Sequence, residues 1–135
     1  MRTILHKNDN AEVLLTTVAN GYDIEKAKEE LGGCLVDINN VRHDYISAYS
    51  IKNNQAIIDL EKARELKVEI IRKSRDEKFI DFDKRYNIAL KDEVDMDILK
   101  QERQKLKDAP QNAEVYLDSC ISLQEIDALS LAAIL

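Results

Sequence analysis

The chain has 135 residues, of which 44% are hydrophobic and 34% charged, and its net charge is −6. This length is enough for one medium domain or two small ones without a metal or disulfide staple, and the composition excludes wholesale disorder. The acidic balance argues against a sequence-independent nucleic-acid binder, so we expect no nucleic-acid partner. With only three Gly and one Pro, the chain is predicted to form long helices rather than a turn-dense all-β fold.

The cysteines and the apolar runs exclude further classes of protein. Cys34 and Cys120 are widely separated and belong to no CxxC motif, so they predict neither a disulfide framework nor a zinc ribbon. No apolar run is long enough to span a bilayer, and the first seven residues lack the apolar stretch of a signal peptide. We therefore expect a cytoplasmic protein with no membrane partner.

Charge divides the sequence into three parts. Residues 1–58 carry 6 basic and 8 acidic groups, residues 59–109 carry 14 of each, and residues 110–135 carry 4 acidic groups and no basic one. We interpret these parts as a small α/β unit, an α-helical hairpin and a C-terminal docking segment with a short helix. The predicted fold class is α+β, with a small antiparallel or mixed sheet and short helices before the hairpin.

The first part contains short apolar, partly β-branched runs that predict strands, at residues 4–5, 13–18, 34–38, 49–51 and 55–58. Asn and Asp tolerate left-handed dihedrals, so residues 7–10 and 52–54 predict turns. Asp23 is a helix cap, and Gly32-Gly33 supplies the left-handed stop of that helix. Apolar spacing over residues 41–48 predicts a two-turn helix.

The second part predicts two long helices. Residues 60–90 contain neither Gly nor Pro, Asp59 precedes them as a cap, and apolar residues recur every three or four positions. The charged run 91–95 ends the pattern. A second helix restarts near Asp95 or Asp97 and is predicted to stop before Pro110. A short polar connection between two helices favours an antiparallel hairpin.

The third part ends in an apolar tail. Ser122 with Glu125 forms a capping-box pattern, and the residues that follow are too apolar to lie free in water. We therefore expect the tail to dock on the fold or on a partner.

Signatures of catalysis are weak. The one cluster worth testing is Asp37, His43 and Asp44, and no nucleophile motif accompanies it. The alternating acids Glu93, Asp95 and Asp97 lack the Gly and Glu of a calcium loop, and an acidic helix start explains them. We predict no enzymatic activity, no metal and no other cofactor.

Two stretches carry a resemblance to a known family: Ile71-Arg72-Lys73-Ser74-Arg75-Asp76 in the first helix, and Arg103-Gln104-Lys105-Leu106-Lys107-Asp108-Ala109-Pro110 in the second. Together with Asp83 and Tyr86, they resemble the helical hairpin of small proteins from phage and prophage tail modules, including the phage tail assembly chaperone type. The resemblance implies a non-enzymatic assembly factor for a tail or tail fibre, or a minor virion component. It also implies a tail or tail-fibre protein as partner, and a location in the host cytoplasm or the virion.

On this interpretation the hairpin and the apolar tail carry the partner contacts. The predicted partner-binding residues are Arg72, Arg75, Phe79, Phe82, Tyr86, Leu99, Arg103, Leu106, Ile126, Leu129, Leu131 and Leu135. The aromatic stripe of the first long helix, Phe79, Phe82 and Tyr86, can instead pack within the fold. Self-association into a homo-oligomer is a further alternative. The alternative function is a soluble regulatory or inhibitory module directed at a host protein, for which the acidic charge is permissive.

Overall fold

The computed structural model describes residues 2–135, and it confirms the predicted α+β fold class. A small antiparallel sheet and short helices come first, followed by two long helices as a hairpin and a short C-terminal helix. The chain divides into two compact units, Met1–Ala63 and Arg64–Leu135.

A three-stranded antiparallel sheet lies in the first unit, in the order β2-β1-β3. The strands and the helix that connects the last two are β1 (Arg2–Lys7), β2 (Val13–Val18), α1 (Ile24–Leu31) and β3 (Cys34–Val36). The central strand β1 is covered on both faces, since Thr3, Ile4, Leu5 and His6 are all buried. His6 keeps a polar partner there, because its Nε2 lies 2.7 Å from the hydroxyl of Thr16.

The β1–β2 turn differs from the expectation in one residue. The left-handed residue is Ala11, with φ of 60°, rather than an Asn or Asp. The side chain of Asn8 is used instead as an acceptor, because its Oδ1 receives the N–H groups of Asn10 and Glu12 at 3.0 and 2.9 Å. The turn is therefore stabilised by Asn8 through side-chain hydrogen bonding rather than through its backbone conformation.

Helix α1 begins and ends as predicted. The Asp23 carboxylate accepts the N–H groups of Glu25 and Lys26, and Gly32 has the left-handed φ of 64°. The N–H of Gly32 bonds to Glu29 O and that of Gly33 to Lys28 O, which is the Schellman pattern of helix ends. The chain then enters β3 directly.

The two-turn helix predicted over residues 41–48 is not an α-helix. Two short 3-10 helices occupy this region, Ile38–Asn40 and His43–Ala48. Tyr45 has non-helical dihedrals (φ −116°, ψ 17°), which interrupt the α pattern. A two-stranded sheet follows, β4 (Tyr49–Lys52) with β5 (Gln55–Ile58). Its turn is the predicted one, and both central residues, Asn53 and Asn54, have positive φ as a type I′ turn requires.

The long helices are α2 (Leu60–Lys91) and α3 (Asp97–Asp118), and two short helices follow, α4 (Leu123–Ala128) and α5 (Leu131–Ile134). The cap of α2 is confirmed, since the Asp59 carboxylate accepts the N–H groups of Glu61 and Lys62 at 3.1 and 3.3 Å. The capping pattern at Ser122 is confirmed, except that the Glu125 carboxylate bonds to the residue before the cap. The Ser122 hydroxyl accepts the N–H of Glu125, whose carboxylate accepts the N–H of Ile121.

The prediction that the second helix stops before Pro110 is wrong. Helix α3 continues through Pro110 for two further turns. A proline inside a helix costs about 3 kcal/mol, because one backbone hydrogen bond is lost. Ala113 and Leu117, which follow on the same buried face, are fully buried. Burying a leucine side chain is worth about 1.5–3 kcal/mol, so packing beyond Pro110 offsets most of this cost.

Two basic residues of α2 fasten the C-terminal segment in the second unit. The guanidinium of Arg64 donates to Leu117 O at 3.0 Å and to Cys120 O at 2.8 Å. Lys67 is buried and its Nζ donates to Asp127 O at 3.0 Å. These carbonyls lie at helix ends, where cations are favourable. The α2 side chains therefore satisfy backbone groups that α3 and α4 leave unpaired.

Candidate functional site

The predicted partner-binding residues divide into those that the second unit buries and those that it leaves accessible. The buried ones are Phe82, Leu106, Ile126, Leu129 and Leu131. These side chains form part of the core of the second unit, together with residues such as Ile71 and Leu117. In this chain they therefore act as packing residues, and the apolar tail docks on its own unit.

Phe79, Tyr86 and Leu99 are half-buried, and Leu135 is 40% exposed. The ring of Tyr86 lies against that of buried Phe82, with centroids 6.0 Å apart. This geometry is typical of aromatic packing. The aromatic stripe of α2 is therefore largely occupied by contacts within the unit.

The predicted basic contacts are partly paired. Arg72 forms an ion pair with Glu69, one helical turn away. Arg75 donates from Nε and Nη2 to the carboxylate of Asp76 at 3.1 and 3.0 Å, and its guanidinium lies 5.8 Å from the ring centre of Phe79. Arg103 is exposed. Arg103 is thus the basic residue of this set with the most accessible side chain.

The structure reveals an apolar surface that the sequence did not predict. We define the tip cluster as Ile88, Leu90, Val94 and Ile98, which are between 53% and 74% exposed. They lie in the last turn of α2, in the loop, and in the first turn of α3. Apolar residues on both sides of a charged loop are the sequence signal that could have identified this cluster. A group of exposed apolar side chains of this kind is a candidate contact surface.

The loop that carries Val94 has a defined backbone. Glu93 adopts the left-handed conformation with φ of 54°. Its N–H bonds to Leu90 O, and the N–H of Val94 bonds to Ala89 O, so α2 ends in a Schellman motif without glycine. The Asp95 carboxylate then accepts the N–H of Asp97 at 3.0 Å. These bonds hold the tip cluster in place, and the Asp95 bond forms an Asx turn just before α3.

A second exposed apolar group lies at the other end of α3. Val115, Tyr116 and Ile121 are 70%, 48% and 79% exposed. The Ser119 hydroxyl donates to Tyr116 O at 2.7 Å and closes the helix end beside them. We name this group the terminal cluster. It offers apolar surface that is separate from the tip cluster in sequence and provides a natural control for it.

An open groove lies between α2 and α3. The ion pair of Arg85 with Glu102, whose nearest atoms are 3.3 Å apart, joins the two helices there, and Lys78, Lys105 and Leu135 also line the groove. Arg85 also stacks over Phe82, with 5.6 Å from its guanidinium carbon to the ring centre. The groove therefore mixes both signs of charge with apolar surface.

The three residues that the sequence singled out for a test of catalysis lie in or beside the 3-10 helices of the first unit. The Asp37 carboxylate accepts the N–H of Asn39 at 2.9 Å and caps a 3-10 helix. His43 and Asp44 are both exposed. These contacts assign Asp37 a local structural role.

The two cysteines are buried and carry free thiols. Burial raises the pKa of the Cys34 thiol. The pKa of Cys120 is raised by burial and then by the nearby Glu125 carboxylate. A thiol whose pKa is raised has little thiolate at neutral pH, and it is a poor nucleophile.

The side chains and helices of residues 2–135 bear on metal sites and membrane spans. No group of three or more His, Cys, Asp or Glu side chains in this part of the chain could hold a metal ion. No helix among the same residues is both long and apolar enough to cross a membrane.

Comparisons of the chain with protein-family models, with curated proteins and with solved structures give no significant match. The resemblance of α2 and α3 to phage tail-module proteins therefore stays a prediction. The geometry of the second unit is the firmer basis for a functional proposal.

Proposed function

We propose that the chain acts without catalysis, through protein–protein contacts, as an assembly factor for a phage or prophage tail or tail fibre, or as a minor virion component. The observation that carries the proposal is the tip cluster, an exposed apolar surface held at the closed end of a helical hairpin. The resemblance of the Ile71–Asp76 and Arg103–Pro110 stretches to tail-module proteins supports the choice of partner.

The energy available at the tip cluster sets what kind of complex it can form. Fully burying one aliphatic side chain is worth about 1.5–3 kcal/mol, and these four are already part-buried, so together they supply roughly 4–6 kcal/mol. Association itself costs at least about 4 kcal/mol in lost freedom of motion. The tip cluster alone therefore supports only a weak complex, and further contacts are needed.

Residues next to the cluster can supply those contacts. Glu93 and Asp92 are exposed beside it, and Arg103 is exposed on α3. Exposed charges at the rim of an interface fix orientation and speed association more than they add affinity. We therefore expect a partner surface that is apolar at its centre and basic near the hairpin loop.

The test is capture of the tagged chain from cells in which the phage or prophage is induced, with mass spectrometry of what is retained. The proposal expects tail or tail-fibre proteins in amounts near those of the chain. Retention of a host enzyme alone, with no tail protein, would refute it.

The alternative is a soluble regulatory or inhibitory module directed at a host protein, for which the net charge of −6 is permissive. In that case a host enzyme would be retained in a stable complex, and deletion of the chain would leave tail assembly unchanged. Normal particle yield after deletion therefore separates the alternative from the leading proposal.

A further inference from the structure

The strand β2, near which the 3-10 helix His43–Ala48 packs, is an edge of the three-stranded sheet. It lies at the end of the order β2-β1-β3, and its register with β1 is continuous over all six residues. Its sequence, Val13-Leu14-Leu15-Thr16-Thr17-Val18, contains no charge and no Pro. Soluble proteins usually blunt such edges with charge, proline or a bulge, because an open edge templates pairing with another strand. None of these devices is present in β2.

The register identifies the backbone groups that face outward. Asn8 N–H bonds to Glu12 O, so these opposed residues are a hydrogen-bonded pair. Hydrogen-bonded pairs alternate along an antiparallel ladder, so Leu14 and Thr16 also bond to β1. Val13, Leu15 and Thr17 therefore direct their N–H and C=O groups away from the sheet. The backbone–backbone hydrogen bonds of residues 2–135 pair none of these outward groups with another element.

We propose that β2 pairs with β2 of a second copy of this chain, in antiparallel orientation, to make one continuous six-stranded sheet. Outward groups must face outward groups, so the symmetric register places Leu15 opposite Leu15 of the second copy. Val13 then lies opposite Thr17, and Leu14 opposite Thr16. An isologous contact of this kind closes after two copies.

The composition of β2 favours a second copy over an unrelated strand. Every opposed pair in the symmetric register is aliphatic or β-branched, which suits cross-strand packing. The flanking charges are also complementary. Arg2 lies opposite Val18, and the register places Glu12 of the second copy on the other side of Val18. Arg2 and Glu12 then share one face about 10 Å apart between backbones, within reach of two long side chains.

Disulfide trapping tests the register directly. In the Leu15→Cys variant, the two introduced thiols lie in a hydrogen-bonded pair with backbones about 5.5 Å apart, a separation that suits a disulfide. In the matched Thr17→Cys variant they lie four residues apart along the strand, about 13 Å, which is too far. We expect mild oxidation to cross-link Leu15→Cys on the order of tenfold faster than Thr17→Cys. The parent chain, whose thiols are buried, controls for background.

Sedimentation velocity over a range of concentrations tests the association itself. An interface of one strand pair is small, so we expect a dissociation constant on the order of 10 μM. Thr17→Pro removes an outward N–H without removing a bond to β1, so it should yield a monomer with unchanged circular dichroism. Thr17→Val keeps the N–H and should still dimerise.

Three results would overturn the proposal: a parent chain that stays monomeric up to millimolar concentration, a folded Thr17→Pro variant that still dimerises, or equal cross-linking rates for the two cysteine variants. The disulfide test does not depend on the proline variant folding. Because β2 lies in the first unit and the tip cluster in the second, these results leave the proposed tail function untouched, and failure of that function leaves the dimer intact.

Discussion

Gly33 shows how the absence of a side chain allows close packing in the three-stranded sheet. A β-carbon at this position would lie 2.6 Å from Ile4 Cγ2 and 2.9 Å from His6 Cβ, and it would also meet the backbone oxygen of Leu5. The neighbouring Gly32 has open space around it but a left-handed φ of 64°. Gly33 is thus required because the β1 strand approaches it closely, and Gly32 is required because its backbone is left-handed.

This difference predicts unequal costs for the same substitution. Gly33→Ala must displace the backbone of β1, so we expect it to lower the free energy of unfolding by about 3 kcal/mol. Gly32→Ala only strains its own dihedrals and should cost about 1 kcal/mol. Urea unfolding followed by circular dichroism measures both. Equal losses for the two variants would contradict the described packing at Gly33.

Glu93 is the residue at which the hairpin loop departs from sequence rules. A left-handed residue at a helix end is usually glycine, because a side chain there costs about 1–2 kcal/mol. Glycine loses more chain entropy on folding, by about 0.5–1 kcal/mol. Glu93→Gly should therefore raise the free energy of unfolding by roughly 0.5–1 kcal/mol.

The control for this prediction is Lys91→Gly, two residues earlier in the last turn of α2. Glycine in a helix is unfavourable, so that variant should lose about 1 kcal/mol. Thermal unfolding of the two variants beside the parent gives the comparison. A loss of stability in Glu93→Gly would show that this residue is not left-handed in solution.

At the scale of elements, Arg64 joins three parts of the second unit. Its two donors hold Leu117 O and Cys120 O, at the end of α3 and just beyond it. Arg64→Ala would leave these carbonyls without that partner, so we expect a loss of about 2 kcal/mol in the free energy of unfolding.

Arg64→Lys refines the same prediction. Lysine keeps the charge but lacks the planar fork that serves two carbonyls at once, so it should recover less than half of the loss. Chemical denaturation of both variants is the measurement. Full recovery in the lysine variant would mean that charge near the helix end, rather than the paired hydrogen bonds, stabilises the segment.

The elements also show what a sequence can and cannot predict. Strands, caps and turns followed from local chemistry, as at Asp23, Gly32 and Asn53-Asn54, because each depends on a few neighbouring residues. The end of α3 did not, since Pro110 gives a local stop signal that burial of Ala113 and Leu117 overrides. The periodicity of the apolar residues identified the apolar side chains of each helix, but it did not indicate which of them face the core. Phe82 and Leu106 were therefore predicted at a partner surface and lie in the core, whereas the exposed tip cluster was missed.

At the scale of the whole molecule, the two units carry different kinds of surface. The first presents an uncharged strand edge, and the second presents exposed apolar side chains at the ends of its helices. A backbone edge suits a second copy of the same chain, whereas an apolar cluster beside acidic residues suits a different partner. We therefore expect partner binding to be sensitive to changes at the tip cluster and insensitive to changes at β2.

The role of the tip cluster is tested by comparing the tip variant Ile88→Ser/Ile98→Ser with the terminal-cluster variant Ile121→Ser, which changes a comparably exposed isoleucine. Each tagged chain is used to capture tail or tail-fibre proteins from induced cells, with circular dichroism confirming the fold. Loss of two apolar contacts should weaken capture on the order of tenfold or more for the tip variant, while Ile121→Ser should bind like the parent. Undiminished capture of tail proteins by the tip variant, or capture of none by the parent chain, would contradict the proposed role of the tip cluster.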